Sequence, residues 1–273
     1  MALEIPSSLT PSKVNSFKEC GYSFKLSVID KVPQPQNQWA VRGTLAHRTL
    51  DRLYFEVPKG QRSKAVAKGI FEKVWQEAAD NGELDGLNGH SSHTDWLEEF
   101  RASSLQMVSN DFEVEDPNEI TAIGTEILLE FSEGDMRLRG IIDRLDLNDD
   151  GSLTITDYKT GKVPGAAHEK DKLVGVQFYA FLCEKVLGVR PVSVQLIYLR
   201  DAITITAHPT AQTVSALRNQ TQAIWRAVVT ACERDDFRPR VSRLCTYCSY
   251  QQMCPARTTT ALETNLAKNS VRD

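Results

Sequence analysis

Apolar positions along the chain keep one period up to about residue 120 and alternate between two periods after it. Before that point they recur every three or four residues, the helical period. Thr10-Pro11 supplies an N-cap followed by proline at N1, which predicts a short helix from Pro11 to about Cys20. A Pro- and Gln-rich connector, residues 30–40, leads into a helix over Val41–Tyr54 with Leu45, Leu50, Leu53 and Tyr54 as its apolar positions. Two further helices are predicted over 62–80 and 93–112, separated by the turn-rich NGELDGLNGHSS. Just beyond residue 120 the period shortens to two. Ile120–Phe131, Met136–Leu147 and Ser152–Tyr158 then read as three consecutive antiparallel strands. A helix over Glu169–Leu187 ends at Gly188 as its C-cap. Val192–Leu199 and Ala202–His208 follow as strands, and Ala211–Glu233 as a long helix. Strands, helix, strand and helix around one sheet predict an α/β core with a helical region ahead of it.

The segment Arg139–Gly161, RGIIDRLDLNDDGSLTITDYKTG, is the most chemically pointed part of the chain. Asn148-Asp149-Asp150-Gly151 is turn chemistry between two β-branched, alternating runs, so the segment predicts a β-hairpin. Alternation puts Leu153, Ile155, Asp157 and Lys159 on one face of the second strand. Asp143 lies on the first. An apolar face ending in a carboxylate and an ammonium finishes a core poorly, but it can hold a divalent metal beside a phosphate. Asp146, Asn148, Asp150, Gly151 and Asp157 also fit the spacing of an EF-hand calcium loop. The last position is Asp where that loop uses a bidentate Glu, and the flanks are strands where it needs helices. The hairpin is therefore favoured.

Composition narrows the class without choosing the chemistry. The 273 residues are 41% hydrophobic and 25% charged, with a formal net charge of −4, which suits a globular protein and argues against a broadly basic coat. No apolar run approaches a membrane span, and MALEIPSSLTPSK lacks the apolar core of a secretory signal, so a cytoplasmic location without a membrane partner is expected. Six cysteines are unevenly placed. Cys245, Cys248 and Cys254 crowd into one segment, Cys20 stands alone near the start, and Cys183 and Cys232 fall in helical patterns as core residues. In a cytosolic protein such clustering points to metal or cluster ligation ahead of disulfides. Four thiolates can hold zinc or a [4Fe–4S] cluster, and a CxxC pair alone leaves that choice open.

Two carboxylates converging from adjacent strands suit a hard cation, magnesium or manganese, of the kind that activates water and offsets charge in phosphodiester hydrolysis. A lysine two residues past the second acid can position that water or stabilise the developing charge. GIIDR followed by DYKTG resembles the core of the PD-(D/E)XK nuclease superfamily, in its RecB-like exonuclease branch. The resemblance implies a restriction-endonuclease-like mixed sheet flanked by helices. It reads Asp143 as the first acid and Asp157-Tyr158-Lys159 as the second motif, so that Asp143, Asp157, Lys159 and Tyr158 belong to the site. Arg42-Gly43-Thr44-Leu45-Ala46-His47 resembles the branch's upstream motif, which implies that His47 is an imidazole ligand to the same metal. Glu126, on the preceding strand, is a further candidate ligand or supporting acid.

That branch also carries a helical Gln followed four residues later by Tyr. Here Gln177 and Tyr179 are only two apart, about 200° around a helix, so they cannot share one face. Both remain candidates for touching DNA or orienting the lysine. The branch includes the CRISPR-associated exonucleases, which carry one cysteine ahead of the nuclease domain and three after it. This resemblance implies a [4Fe–4S] cluster on Cys20, Cys245, Cys248 and Cys254, acting as a structural clasp.

The expected organisation is a helical region over 1–119, a nuclease core over 120–236, a cysteine segment over 237–258 and a polar tail over 259–273. The expected activity is metal-dependent exonucleolytic hydrolysis of single-stranded DNA or duplex ends. The expected partners are DNA and proteins of recombination, helicase action or CRISPR adaptation. The alternatives are a non-catalytic DNA-binding partner of a recombination complex and a zinc-stabilised nuclease. For DNA contacts the candidates are Arg42, Arg48 and Arg52, or Arg238, Arg240 and Arg243, as phosphate ligands. Trp39, Tyr54, Tyr247 and Tyr250 are candidate stacking platforms.

Overall fold

A computed structural model describes residues 3–35, 37–87, 93–163 and 165–257, with the main chain alone at 93–94, 166–174 and 176; the predicted polar tail from 259 onward lies outside them. The helices are α1 (Pro11–Glu19), α2 (Gly21–Phe24), α3 (Gln38–Glu56), α4 (Lys64–Asp80), α5 (His93–Val114), α6 (Ala166–Leu187) and α7 (Ala211–Arg234). The strands are β1 (Ala122–Glu133), β2 (Met136–Leu147), β3 (Leu153–Lys159), β4 (Ser193–Tyr198) and β5 (Ile203–Ala207), in one sheet of order β1-β2-β3-β4-β5. This is the mixed sheet flanked by helices of a restriction-endonuclease-like fold. β3 pairs antiparallel with β2 and parallel with β4. The parallel pair needs a crossover, and α6 supplies it. β3 is the central strand, and Leu153, Ile155, Thr156, Asp157 and Tyr158 are all buried in it.

Local chemistry sets the ends of these elements. Thr10 accepts the Lys13 N–H to cap α1, and Ser63 accepts the Val66 N–H to cap α4. Asn37 accepts the Trp39 N–H, so α3 starts inside the predicted connector, three residues earlier than apolar periodicity alone indicates. After Cys20 the chain continues as α2 and a single π-helical turn, Lys25–Ile29, neither of which the sequence pattern announces. The calcium-loop alternative fails structurally. The segment is flanked by β2 and β3, Asp150 accepts the Ser152 N–H, and Asp146 is bound by Arg144.

The chain forms two compact units, each discontinuous in sequence and cutting across the predicted segment boundaries. One comprises residues 1–35, 132–139 and 218–273. Its core is Phe24, Val228, Ala231, Cys232 and Phe237, with Phe17 edge-on to both Phe24 and Phe237. Leu9 bridges to Leu138, and the Leu3 N–H donates to the Cys232 carbonyl. The other unit comprises residues 36–131 and 140–217 and carries most of the sheet with α3 to α6. Its core joins α3, α4 and α5 through Leu45, Leu50, Leu53, Phe71, Val74 and Val108, and reaches the sheet at Tyr158 and Ile197. Cys183 and Cys232 are fully buried, as expected of core residues.

Candidate active site

The site lies in the unit that carries most of the sheet, where β2 and β3 part. Their paired register runs from Leu147↔Leu153 to Arg144↔Thr156. At the next position Asp143 replaces the ladder with its side chain: its Oδ2 accepts the Tyr158 N–H at 2.7 Å. That bond fixes the carboxylate and opens the strands beside it. From α3, His47 turns its Nδ1 to 3.6 Å from Asp143 Oδ2 and 4.0 Å from Glu126 Oε1. Glu126 reaches this point through its backbone. It adopts φ = +47° within β1, a left-handed conformation that a non-glycine residue holds only where its surroundings demand it.

Together His47, Glu126 and Asp143 each present a ligand atom within 4.8 Å of the others. Two metal–ligand bonds of about 2.1–2.3 Å across one ion span roughly that distance. Two carboxylates and one imidazole, partly open to solvent, fit magnesium or manganese better than a thiolate-seeking metal. Asp157 lies outside this triplet. It is buried, ion-paired to Lys159 and hydrogen-bonded by the Tyr179 hydroxyl. Tyr158 contributes its main chain. Its N–H holds Asp143 and its backbone bonds His47, while its phenol accepts from Arg144 at 2.5 Å and takes no part in the triplet.

Close backbone approaches seat these groups. A Cβ on Gly140 would lie 2.9 Å from Leu182 Cδ1 and 3.2 Å from Tyr179 Cε1, so only glycine lets α6 come near enough for Tyr179 to reach Asp157. A Cβ on Gly43 would stand 3.3 Å from Thr160 Oγ1, so the helix bearing His47 packs against the exit of β3. Gln177 is half-buried on α6 and forms no hydrogen bond to the triplet among the described residues.

Crowded charge perturbs the protonation of this site. Burial, then the neighbouring Asp157 carboxylate, pushes Asp143 up to about 7. Burial, then Asp143, also raises Glu126. Burial lowers His47 and outweighs the acids that oppose it, which favours the neutral imidazole a metal ligand requires. Burial also disfavours the charged form of Lys159, but the Asp157 carboxylate outweighs it and raises the lysine, keeping it an ammonium. Burial, then the charges of Asp157 and Asp143, raise Tyr179 and keep its hydroxyl a donor.

Behind β2 lies a network that the sequence pattern did not single out. Arg144 is fully buried, bonds Asp146, Glu115, Thr156 and the Tyr158 hydroxyl, and stacks over the Tyr54 ring at 4.1 Å. Tyr54 in turn donates to Asp111 and Glu115. A signal was available. Arg144 and Asp146 continue the buried alternation Met136, Leu138, Gly140, Ile142, where a charged pair must be internal.

The sequence profile of the PD-(D/E)XK nuclease superfamily matches residues 8–255. The chain belongs to this superfamily. Asp143, Asp157 and Lys159 stand at the β2–β3 opening within the matched residues. The chain is 28% identical over 171 residues to the Gene 69 protein of Mycobacterium phage D29, an alignment covering 56% of this chain and 62% of that protein. Its fold is similar to the crystal structure of a candidate exonuclease from Eubacterium rectale, with a TM-score of 0.54 and 9% identity, covering 89% of this chain and 88% of that one.

In the other unit, Cys20, Cys245, Cys248 and Cys254 line one cavity of about 330 Å³. The Arg240 N–H approaches Cys20 Sγ at 3.4 Å, and the Ser242 N–H approaches Cys245 Sγ at 3.3 Å. Among the described residues, no three of these sulfurs come within 4.8 Å of one another. Protein contacts also join the two segments. The Tyr22 hydroxyl donates to the Met253 carbonyl and the Tyr250 hydroxyl to the Val32 carbonyl.

Several candidate DNA contacts change status. Tyr54 and Tyr250 are buried and have no face for a base, whereas Trp39 and Tyr247 are exposed. Arg48 is bound by Glu83, Arg52 by Glu77, and Arg238 by Asp236. Arg240 donates to the Lys18 carbonyl. Among the described residues, no helix is long and apolar enough to cross a membrane.

Proposed function

We propose that this chain is a metal-dependent deoxyribonuclease acting as an exonuclease on single-stranded DNA or duplex ends. The observation that carries this is the convergence of His47, Glu126 and Asp143 within 4.8 Å of one another, next to the buried Asp157 and the partly exposed Lys159 ion-paired to it. A bound magnesium or manganese ion supplies Lewis acidity toward a phosphodiester and lowers the pKa of water. The chain's own groups do the rest. His47, Glu126 and Asp143 hold the ion. Lys159, an ammonium, stabilises charge developing on the phosphoryl oxygens, as a preorganised donor does. Tyr179 and the buried charge of Asp157 hold that ammonium in place.

The acids and lysine are intact, which favours catalysis over a DNA-binding partner that merely keeps the fold. In a digestion of end-labelled single strands with magnesium or manganese, Lys159→Ala and Asp143→Asn should each lower the rate by at least about a hundredfold with the fold retained. Rates within a few-fold of the parent would remove the site assignment.

A structural [4Fe–4S] cluster on Cys20, Cys245, Cys248 and Cys254 accompanies this function. One observation supports it over zinc. A closed tetrahedral zinc site with bonds of about 2.3 Å brings its sulfurs within roughly 4 Å of each other, tighter than this cavity holds them. The N–H groups directed at Cys20 and Cys245 are the kind of donors that stabilise metal-bound thiolates, those of a cluster included. A cytoplasmic setting and partners in recombination, helicase action or CRISPR adaptation complete the proposal.

A further inference from the structure

Three arginines lie along α3, and only one lacks a carboxylate. Arg48 and Arg52 are each held by a glutamate, but Arg42 bonds none among the described residues. Its Nε is buried without an acceptor. The guanidinium instead sits between two rings, its Cζ 5.1 Å from the centroid of Trp39 and 4.9 Å from that of Phe100. Phe100 is core, 2% exposed, whereas Trp39 is 54% exposed. Arg200 adds a second positive charge close enough to disfavour the charged form of Arg42, after the larger effect of burial. A partly desolvated cation that binds no carboxylate among the described residues is costly unless an anion arrives from outside.

The surroundings indicate which anion. An open groove lined by Ala40, Gly43, His47, Asp51 and Glu126 runs along α3 and takes in two residues of the metal triplet; Trp39 and Arg42 lie near its start on the same helix, outside its lining. Arg42 precedes His47 by five residues and Trp39 by eight, roughly 8 and 12 Å along the helix axis. Arg42 covers one side of the Trp39 indole, and the indole's exposure leaves surface for a second flat partner. An aromatic platform beside an unpaired cation holds a base and its phosphate, and only an unstacked base can reach it.

We propose that Trp39 and Arg42 form a subsite for single-stranded DNA next to the metal triplet, Trp39 stacking on a base and Arg42 binding its phosphate. This rests on the nuclease function proposed above and specifies its substrate as an unpaired strand. Inside a duplex, bases stacked on both faces offer Trp39 nothing to stack on.

Fluorescence anisotropy of a labelled oligothymidylate in EDTA, where binding proceeds without turnover, tests the subsite. Trp39→Ala and Arg42→Gln should each weaken binding roughly tenfold. Arg42→Gln should also reduce the slope of log affinity against log salt by about 0.7, and Trp39→Ala should leave that slope unchanged. Trp39→Phe, which keeps a ring, should recover most of the affinity and guards against a folding artefact. A covalently closed circular duplex, used as competitor, should bind the parent protein more weakly and be indifferent to Trp39→Ala. If the parent binds the oligonucleotide and both variants match it, the subsite is overturned while the nuclease function stands. Equal losses on single strand and duplex overturn the stacking role. If the parent neither binds nor degrades DNA, both proposals fall.

Discussion

Asp111 and Asp143 are carboxyls that folding drives toward their protonated forms. Burial, then the Glu115 charge, raises Asp111 to about 8, and burial, then Asp157, raises Asp143 to about 7, from the 3.8 of an ordinary aspartate. A raised folded-state pKa means that the folded chain binds more protons than the unfolded one between about pH 4 and pH 8. Stability from these groups is therefore present below pH 4 and lost as pH rises through 7 and 8. Asp111 isolates the effect, because it lies away from the metal triplet and an amide can keep its bonds to Tyr54 and Glu115. Asp111→Asn should melt with the parent near pH 4 and above it near pH 9, by roughly 2–4 °C per kcal/mol of relieved charge burial. Parallel melting curves across that range would show that Asp111 is ionised at little cost. At this scale the sequence exposed Asp143, Asp157, Lys159 and His47, because their spacing carries their chemistry. It hid the roles of Arg144 and Asp111, whose partners Tyr54, Glu115 and Tyr158 come from α3, the end of α5 and β3.

Elements were legible wherever one period governs them. β2 occupies the predicted Met136–Leu147, and α4 to α7 begin and end within a few residues of their predicted limits. What periodicity cannot convey is how close two elements come or where a strand departs from regularity. The +47° φ of Glu126 is a tertiary demand, since nothing local to β1 calls for a left-handed glutamate. Gly140 shows the same limit: its lack of a side chain brings α6 onto β2. Gly140→Ala would place a methyl 2.9 Å from the fully buried Leu182 and 3.2 Å from Tyr179. It should cost about 1–3 kcal/mol in denaturant unfolding and lower nuclease activity by shifting the Tyr179 hydroxyl from Asp157. An unchanged midpoint would mean that α6 is not in contact there. The close spacing of Gln177 and Tyr179 has a consistent outcome, since Tyr179 faces the site while Gln177 makes no bond to the triplet.

Across the whole molecule, chain order and compact units do not coincide, and the cysteines show why this matters. Cys20 lies 225 residues before Cys245, yet both line one cavity within a single unit. A cluster there would close a very long loop of the unfolded chain, and Tyr22–Met253 and Val32–Tyr250 already bring its ends together. Anaerobically purified protein should be brown with stoichiometric iron, and Cys20→Ser should lose the colour and lower the melting temperature of the parent. Colourless protein carrying one zinc would replace the cluster with a zinc site. The central claim concerns the other unit, where a helix, an irregular strand and a hairpin assemble one cation site. Calorimetric titration of manganese into the parent, Asp143→Asn and His47→Ala tests it most directly. One ion should bind the parent, and each variant should bind it at least about tenfold more weakly. Equal affinity in all three proteins would contradict the site.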